Sequence, residues 1–383
     1  MPRSAPTLLI HTRHGVALLA LLVAGCSNHP AYVCMRGDIT AKGAMKTSTV
    51  IDNNVTPVAA RALPRSPKCS PKIAVIDVDG VLVNRNLVGL QSMGENPVAL
   101  FREKLDAAAA DPCVAAVVLR INSPGGGVTA TDMMRHDLVA FKLRTGLPVI
   151  ACLMDVGAGG AYCLATAADT VYAHPTTVTG GLGVILNLYD MEDALSQQNI
   201  FERAIKSGAM VDIGSPTRAM VEEEKTVLED IAKQYHRRLR ATVMEARSQL
   251  VQRLPEEVPV PGDRNGATGA SAPTGKLPNE FAGTVFDGRV FTSEQALHFG
   301  LIDNVGYLDD ALAAARGLGG VTTAKTVLYR RNTDRALTPY DITQNTPGGG
   351  LLPLSIPGYD RAQLPMFLYI WQPEPLYEKN GGP

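Results

Sequence analysis

Aromatic residues make up only 5% of this 383-residue chain, with a single Trp, and charged residues only 19%. The charge shortfall, against ~25% in ordinary soluble domains, favours neither sign. Thirty-six Lys and Arg meet 37 Asp and Glu, for a net charge of −1. The basic footprint that drives nucleic-acid binding is therefore missing. No apolar run reaches the ~18 residues of a membrane-spanning helix. The seven His fall at no metal-ligand spacing, and no phosphate-cradling loop is present, so neither a metal nor another cofactor is expected. Cysteines are few. Setting Cys26 aside, Cys34, Cys69, Cys113, Cys152 and Cys163 make an odd set that cannot be a complete disulfide framework. Cys113, Cys152 and Cys163 lie in apolar segments and read as small core residues, whereas Cys34 and Cys69 flank a loose segment and could pair in an oxidising compartment. What is plentiful is apolar residues, at 45%, together with 36 Gly and 26 Pro. That balance supplies a buried core, tight turns and close backbone approaches.

The first residues read as an address. Arg3 and Arg13 precede an apolar run from Gly15 to Gly25, the length of a signal-peptide h-region. The run ends in Leu22-Val-Ala-Gly-Cys26, which resembles a bacterial lipobox; a short buried helix carrying a Cys is the plainer alternative. The first reading makes 1–25 a lipoprotein signal peptide and Cys26 the lipidated first residue, anchored to a bacterial membrane on its extracytoplasmic, periplasmic side. Ser27, not Asp, follows the Cys, the pattern of outer-membrane sorting. Residues 26–70 have no clear period and read as a tether. A core domain is expected over 71–317, with a Gly, Pro, Ala and Thr-rich loop insertion at about 251–283. An extension of undefined structure, 318–383, follows; its short apolar stretch Leu364 to Trp371 is suited to docking on a neighbour.

Within the core, strand and helix signals alternate. Ile73 to Val83, Ala115 to Ile121, Pro148 to Leu153 and Asp169 to Ala173 are β-rich. The second of these is almost wholly apolar, as a strand buried on both faces must be. Asn96-Pro97 opens a helix between the first two, and Thr131 opens another that Gly146 stops. Ser215-Pro216 is read as the start of a helix of about 30 residues to 247, with an apolar face suited to core or interface. Thr292 to Gln295 has the form of a capping box. This order demands parallel strands joined by right-handed crossovers.

Three groups of segments carry chemistry. Arg120-Ile-Asn-Ser-Pro-Gly-Gly-Gly-Val-Thr129 follows a strand directly, and its glycines free backbone N–H groups to face a ligand oxygen. Asp155-Val-Gly-Ala-Gly-Gly-Ala-Tyr162 is a strand-to-helix turn at the positive end of a helix dipole, with Pro175-Thr-Thr-Val-Thr-Gly-Gly-Leu-Gly-Val184 beyond it. Lys206-Ser-Gly208, Asp212 to Pro216, Gly288 to Thr292 and Gly300 to Asp303 complete the set. Together they resemble the signal peptide peptidase A (protease IV) family of serine peptidases. The resemblance covers about 72–317 and implies the α/β fold shared by Clp protease and crotonase, a spiral of parallel strands with flanking helices. It also implies homo- or hetero-oligomeric rings and peptide or protein ligands, with an oxyanion hole at Gly125, Gly126 and Gly160.

The same resemblance exposes what is missing. In active family members the second turn reads Asp-Val-Ala-Ala-Ser-Gly-Gly-Tyr-Tyr, and its Ser is the nucleophile; that position here is Gly159. The family's base is the Lys of a Ser-Gly-x-x-Lys-Asp pattern, and here Ser207-Gly-Ala-Met-Val-Asp212 puts Val211 in its place. A Ser/Lys dyad needs a hydroxyl and an amine held neutral to take its proton. Neither group exists here. Losing both leaves about 10³–10⁴-fold over water from binding and the oxyanion hole, against the ~10⁶-fold or more of a working enzyme. Ser123 reads as a turn cap and Lys206 as a surface charge. Cys163, one helical turn beyond Gly159, is the alternative nucleophile. The reading is thus a lipid-anchored family member impaired in catalysis, binding peptides or partners in the old substrate groove. Its alternatives are an active peptidase with a relocated nucleophile and a crotonase-type acyl-thioester enzyme.

Overall fold

A computed structural model describes residues 59–63, 70–86, 95–251, 283–331, 338 and 366–371. The expectations at Cys26, Ser27, Cys34 and Cys69, and the loop insertion of about 251–283 but for its two end residues, lie outside these residues. The strands are β1 (Ala59–Leu63), β2 (Lys72–Asp79), β3 (Val114–Ser123), β4 (Gly125–Gly127), β5 (Val149–Ala158), β6 (Thr170–Ala173), β7 (Val178–Gly180), β8 (Val290–Thr292), β9 (Asn304–Val305), β10 (Lys325–Arg330) and β11 (Leu368–Ile370). The helices are α1 (Pro97–Ala110), α2 (Val128–Thr145), α3 (Gly160–Ala165), α4 (Glu192–Gln197), α5 (Glu222–Ala246), α6 (Ser293–Phe299) and α7 (Leu308–Leu318).

The main sheet runs β1-β10-β2-β3-β5-β6-β9, with β7 joined to β5 and β8 to β7. Strands β10, β2, β3, β5, β6 and β9 pair in parallel, and β1 adds antiparallel at one edge. The expected α/β architecture of parallel strands with flanking helices is therefore present. Alternation along the strands divides the core in two. Val117, Leu119 and Ile121 of β3 enter the larger cluster with Phe101, Leu105, Leu138 and Phe141 of α1 and α2. Ala116 and Val118 face the other way, where Leu308, Ala311, Leu312 and Ala315 of α7 cover them. A sheet covered on both faces explains the near-continuous apolar runs.

The local punctuation acts as the residues dictate. Asn96 Oδ1 accepts the Val98 and Ala99 N–H groups at 3.0 and 3.4 Å, with Pro97 in the first turn of α1. Gly146 ends α2 in the left-handed region, φ +68°, its N–H donating to the Lys142 carbonyl. Thr292 and Gln295 form the expected capping box.

Three expectations need correction. The tether is not free of structure to residue 70, because 59–63 form the edge strand β1. The extension beyond 317 contributes two strands, β10 inside the main sheet and β11 in a second, two-stranded sheet with β4. The long helix begins at Glu222, not 216. Ser215 Oγ is engaged by Thr217 Oγ1 instead of capping a helix. Arg218 then ties Asp212 to Glu224 in one ion-pair cluster, which holds the intervening residues in turns.

Candidate active site

Strand β5 ends at Ala158 and α3 begins at Gly160, so Gly159 alone makes the turn between them. Its backbone lies at φ +53°, ψ −121°. That is a strained strand-to-helix elbow of the kind that lifts a nucleophile above a sheet. The elbow is kept and the side chain it would present is gone. Its surroundings are tightly held. Gly159 N–H donates to the Gly180 carbonyl at 2.8 Å, which fixes the turn to β7. Thr179 Oγ1 donates to the Gly157 carbonyl at 2.6 Å, and Val156 N–H to Asn122 Oδ1 at 3.2 Å. Fully buried Tyr162 donates its hydroxyl to the Leu301 carbonyl at 2.6 Å. Asp303, two residues on, accepts the Val171 N–H and pairs with Arg247. The segments that looked related in sequence thus brace one another around the elbow.

The glycine strand β4 runs beside it. A Cβ on Gly125 would lie 2.8 Å from Gly160 N, so only a residue without a side chain permits the approach. Ser123, fully buried, accepts the Gly125 N–H at 3.2 Å, in keeping with its reading as a turn cap. This corrects the expected oxyanion hole. Gly125 spends its donor within the turn, and Gly127 donates to the Leu82 carbonyl. Gly126, whose flanking bonds tie Leu82 on one edge, is paired with Tyr369 of β11 on the other, and Gly160 stands at the first turn of α3.

Gly125, Gly126, Gly159 and Gly160 are therefore together. Val211 is not part of this buried group; the residue stands 69% exposed on the turn after Gly208. Lys206 donates to both carboxylate oxygens of Asp212 at 2.8 Å. Arg218, then Lys206, hold the Asp212 carboxyl well below the usual carboxylate range. Lys206 is thus engaged as the ion-pair partner of Asp212. Cys163 lies inside α3, 4% exposed, and burial pushes its thiol up to about 12. At neutral pH that thiol is protonated and a poor nucleophile.

The sequence reading missed Thr131. It lies in the first turns of α2, 1% exposed, its hydroxyl so close to Gly160 that any Cβ there would strike it. Among the described residues Thr131 Oγ1 has no hydrogen-bond partner and thus no base to activate it. A Thr four residues beyond a glycine run was a visible signal, but it read as an ordinary helix start. Among the described residues no group of His, Cys, Asp and Glu is placed to hold a metal.

Comparison with known proteins points the same way. The model for peptidase family S49 matches residues 142–256, a stretch holding both Gly159 and Val211. A protein of Enterococcus faecium bearing the name signal peptide peptidase SppA is 27% identical over 262 residues, 68% of each chain. Protease 4 of Salmonella typhi is 29% identical over 246 residues, 64% of this chain but only 34% of its own length. Capsid assembly protease C of phage lambda is 29% identical over 192 residues, half of this chain and 42% of its own.

Proposed function

This chain belongs to the signal peptide peptidase A family of serine peptidases, and we infer that it binds extended peptides without cleaving them. The observation that carries this is Gly159. The elbow and the buried brace around it stand on the family's Clp protease and crotonase fold, while the nucleophile is absent and Val211 replaces its base. Such a site still offers strand edges to an extended peptide. It has no group to attack the carbon. Neither neighbour repairs this, since the Cys163 thiol is held neutral by burial and Thr131 has no base among the described residues.

The protein acts as a lipoprotein, anchored through Cys26 on the extracytoplasmic side, with the outer membrane favoured by Ser27; the N-terminal pattern supports this. None of the described helices is long and apolar enough to cross a membrane. Assembly into a ring, with its own copies or active relatives, is supported by apolar side chains exposed between α4 and α5. Ile200, Phe201, Ile205, Val211 and Val221 all stand at the surface there.

Two measurements test the inference together. A serine-directed fluorophosphonate probe is expected to leave the purified protein unlabelled while labelling an active family member. Fluorescence anisotropy with dye-labelled apolar peptides is expected to show saturable binding. Covalent labelling of the protein, or no binding across a panel of extended peptides, would contradict it.

A further inference from the structure

The groove beside Gly159 is filled by the chain itself. We propose that residues 366–371 are a built-in ligand, lying in the groove as a bound peptide would with the Tyr369–Ile370 peptide bond over position 159, and that the absence of a side chain at 159 is what admits them. This rests on the reading of the groove as a peptide site.

Backbone pairing on two edges carries the first part. Strand β11 pairs antiparallel with β4, setting Leu368, Tyr369 and Ile370 opposite Gly127, Gly126 and Gly125. Val128 N–H donates to the Phe367 carbonyl at 3.1 Å and Trp371 N–H to the Pro124 carbonyl at 2.9 Å. On its other edge Leu368 exchanges both backbone bonds with Ile185, at 2.9 and 3.0 Å. A peptide held between two strand edges is bound by strand addition, where main-chain bonds give affinity and side-chain pockets give choice.

The register carries the second part. A Cβ at 159 would collide with the Tyr369 carbonyl oxygen and lie 2.7 Å from its carbon and 3.0 Å from Ile370 N. Those three atoms are one peptide bond, centred where the family's nucleophile would project. The register also sets Tyr369 opposite Gly126, a member of the oxyanion hole that the family resemblance implies. An active member with Ser at this position could not hold this strand in this place without a clash.

The side chains supply the choice. Leu368, Tyr369 and Ile370 are all at least nine-tenths buried. The Tyr369 hydroxyl donates to the Tyr235 carbonyl of α5 at 2.7 Å, and Phe367 meets the Tyr235 ring edge-on at 5.2 Å. The ligand chemistry is thus an extended peptide with a tyrosine between branched aliphatic residues. A tethered segment acts at an effective concentration of order millimolar, so a peptide from solution must displace it to bind.

The chain's one Trp makes this measurable, because it is Trp371. The full-length protein and its Tyr369→Asp variant are compared by Trp emission and by binding of a dye-labelled Met-Phe-Leu-Tyr-Ile-Phe peptide. The variant is expected to shift Trp371 emission to the red and to bind the peptide at least tenfold more tightly than the unaltered chain. Gly159→Ser, which acts from the groove side, is expected to shift the emission likewise. Circular dichroism establishes that both variants stay folded, and Leu368→Asp replaces the first if it does not. Unchanged emission with equal peptide binding overturns the built-in ligand and leaves the peptide-groove reading standing. A red shift with no peptide binding by the variant sinks the groove reading and this proposal with it.

Discussion

Placing a methyl group at position 159 should cost two separable amounts. The backbone there, at φ +53°, ψ −121°, lies where side chains other than glycine are strained, a penalty of about 1–3 kcal/mol. The added Cβ also meets the Tyr369 carbonyl, which is backbone and cannot rotate away; overpacking of this kind costs a further ~1–3 kcal/mol. Gly159→Ala is therefore expected to destabilise by about 2–6 kcal/mol, limited from above by the cost of releasing strand β11. With that strand already unseated by Tyr369→Asp, only the backbone penalty remains. Urea denaturation of the parent, the two single variants and the double variant closes a thermodynamic cycle. The expected coupling is about 1–3 kcal/mol, with the double variant more stable than the sum of the single losses implies. Distant, independent sites add within about 0.5 kcal/mol. Additivity within that margin would refute the contact between Gly159 and the C-terminal strand.

Further outcomes follow from the same geometry. Arg120 and Asp77 form a buried pair at 2.7 Å beside the site. Arg120→Ala is expected to cost about 3–5 kcal/mol in chemical denaturation by leaving a buried carboxylate. Tyr162→Phe removes the donor to the Leu301 carbonyl and should cost about 1–3 kcal/mol while leaving the far-ultraviolet circular dichroism unchanged. The Cys163 thiol, pushed up to about 12 by burial, should resist iodoacetamide at pH 8 in the folded protein and react in urea. Partly exposed Cys113 provides the comparison, and equal rates for the two would contradict the buried, neutral thiol.

The site was legible where chemistry sits in consecutive residues. Gly159 and Val211 were found from the segments around them, and the structure keeps those segments as an elbow and a turn. The parallel sheet was legible because strands buried on both faces leave near-continuous apolar runs such as Ala115 to Ile121. The pairing of β11 was not. It joins residues about 240 apart through three-residue strands, and a short apolar run states only that it will be buried, not against what. Strand β1 escaped for a like reason, since Ala59 to Leu63 has no alternation and gains its place only at the edge beside β10. The helix at 222 was misplaced because Ser215-Pro216 is a sound local start that the Asp212, Arg218 and Glu224 cluster overrides. The lost Gly125 donor depended on where Ser123 Oγ points, which the motif does not state.

The most direct test of the central claim is hydrolysis of casein and of short apolar peptides by the purified protein starting after Cys26, with an active family member assayed alongside. Turnover indistinguishable from buffer is expected, because an elbow carrying Gly159 has nothing with which to attack. Turnover that co-purifies with the protein and withstands further purification would contradict the account and require a nucleophile elsewhere, with Cys163→Ala and Thr131→Val as the first variants to assay.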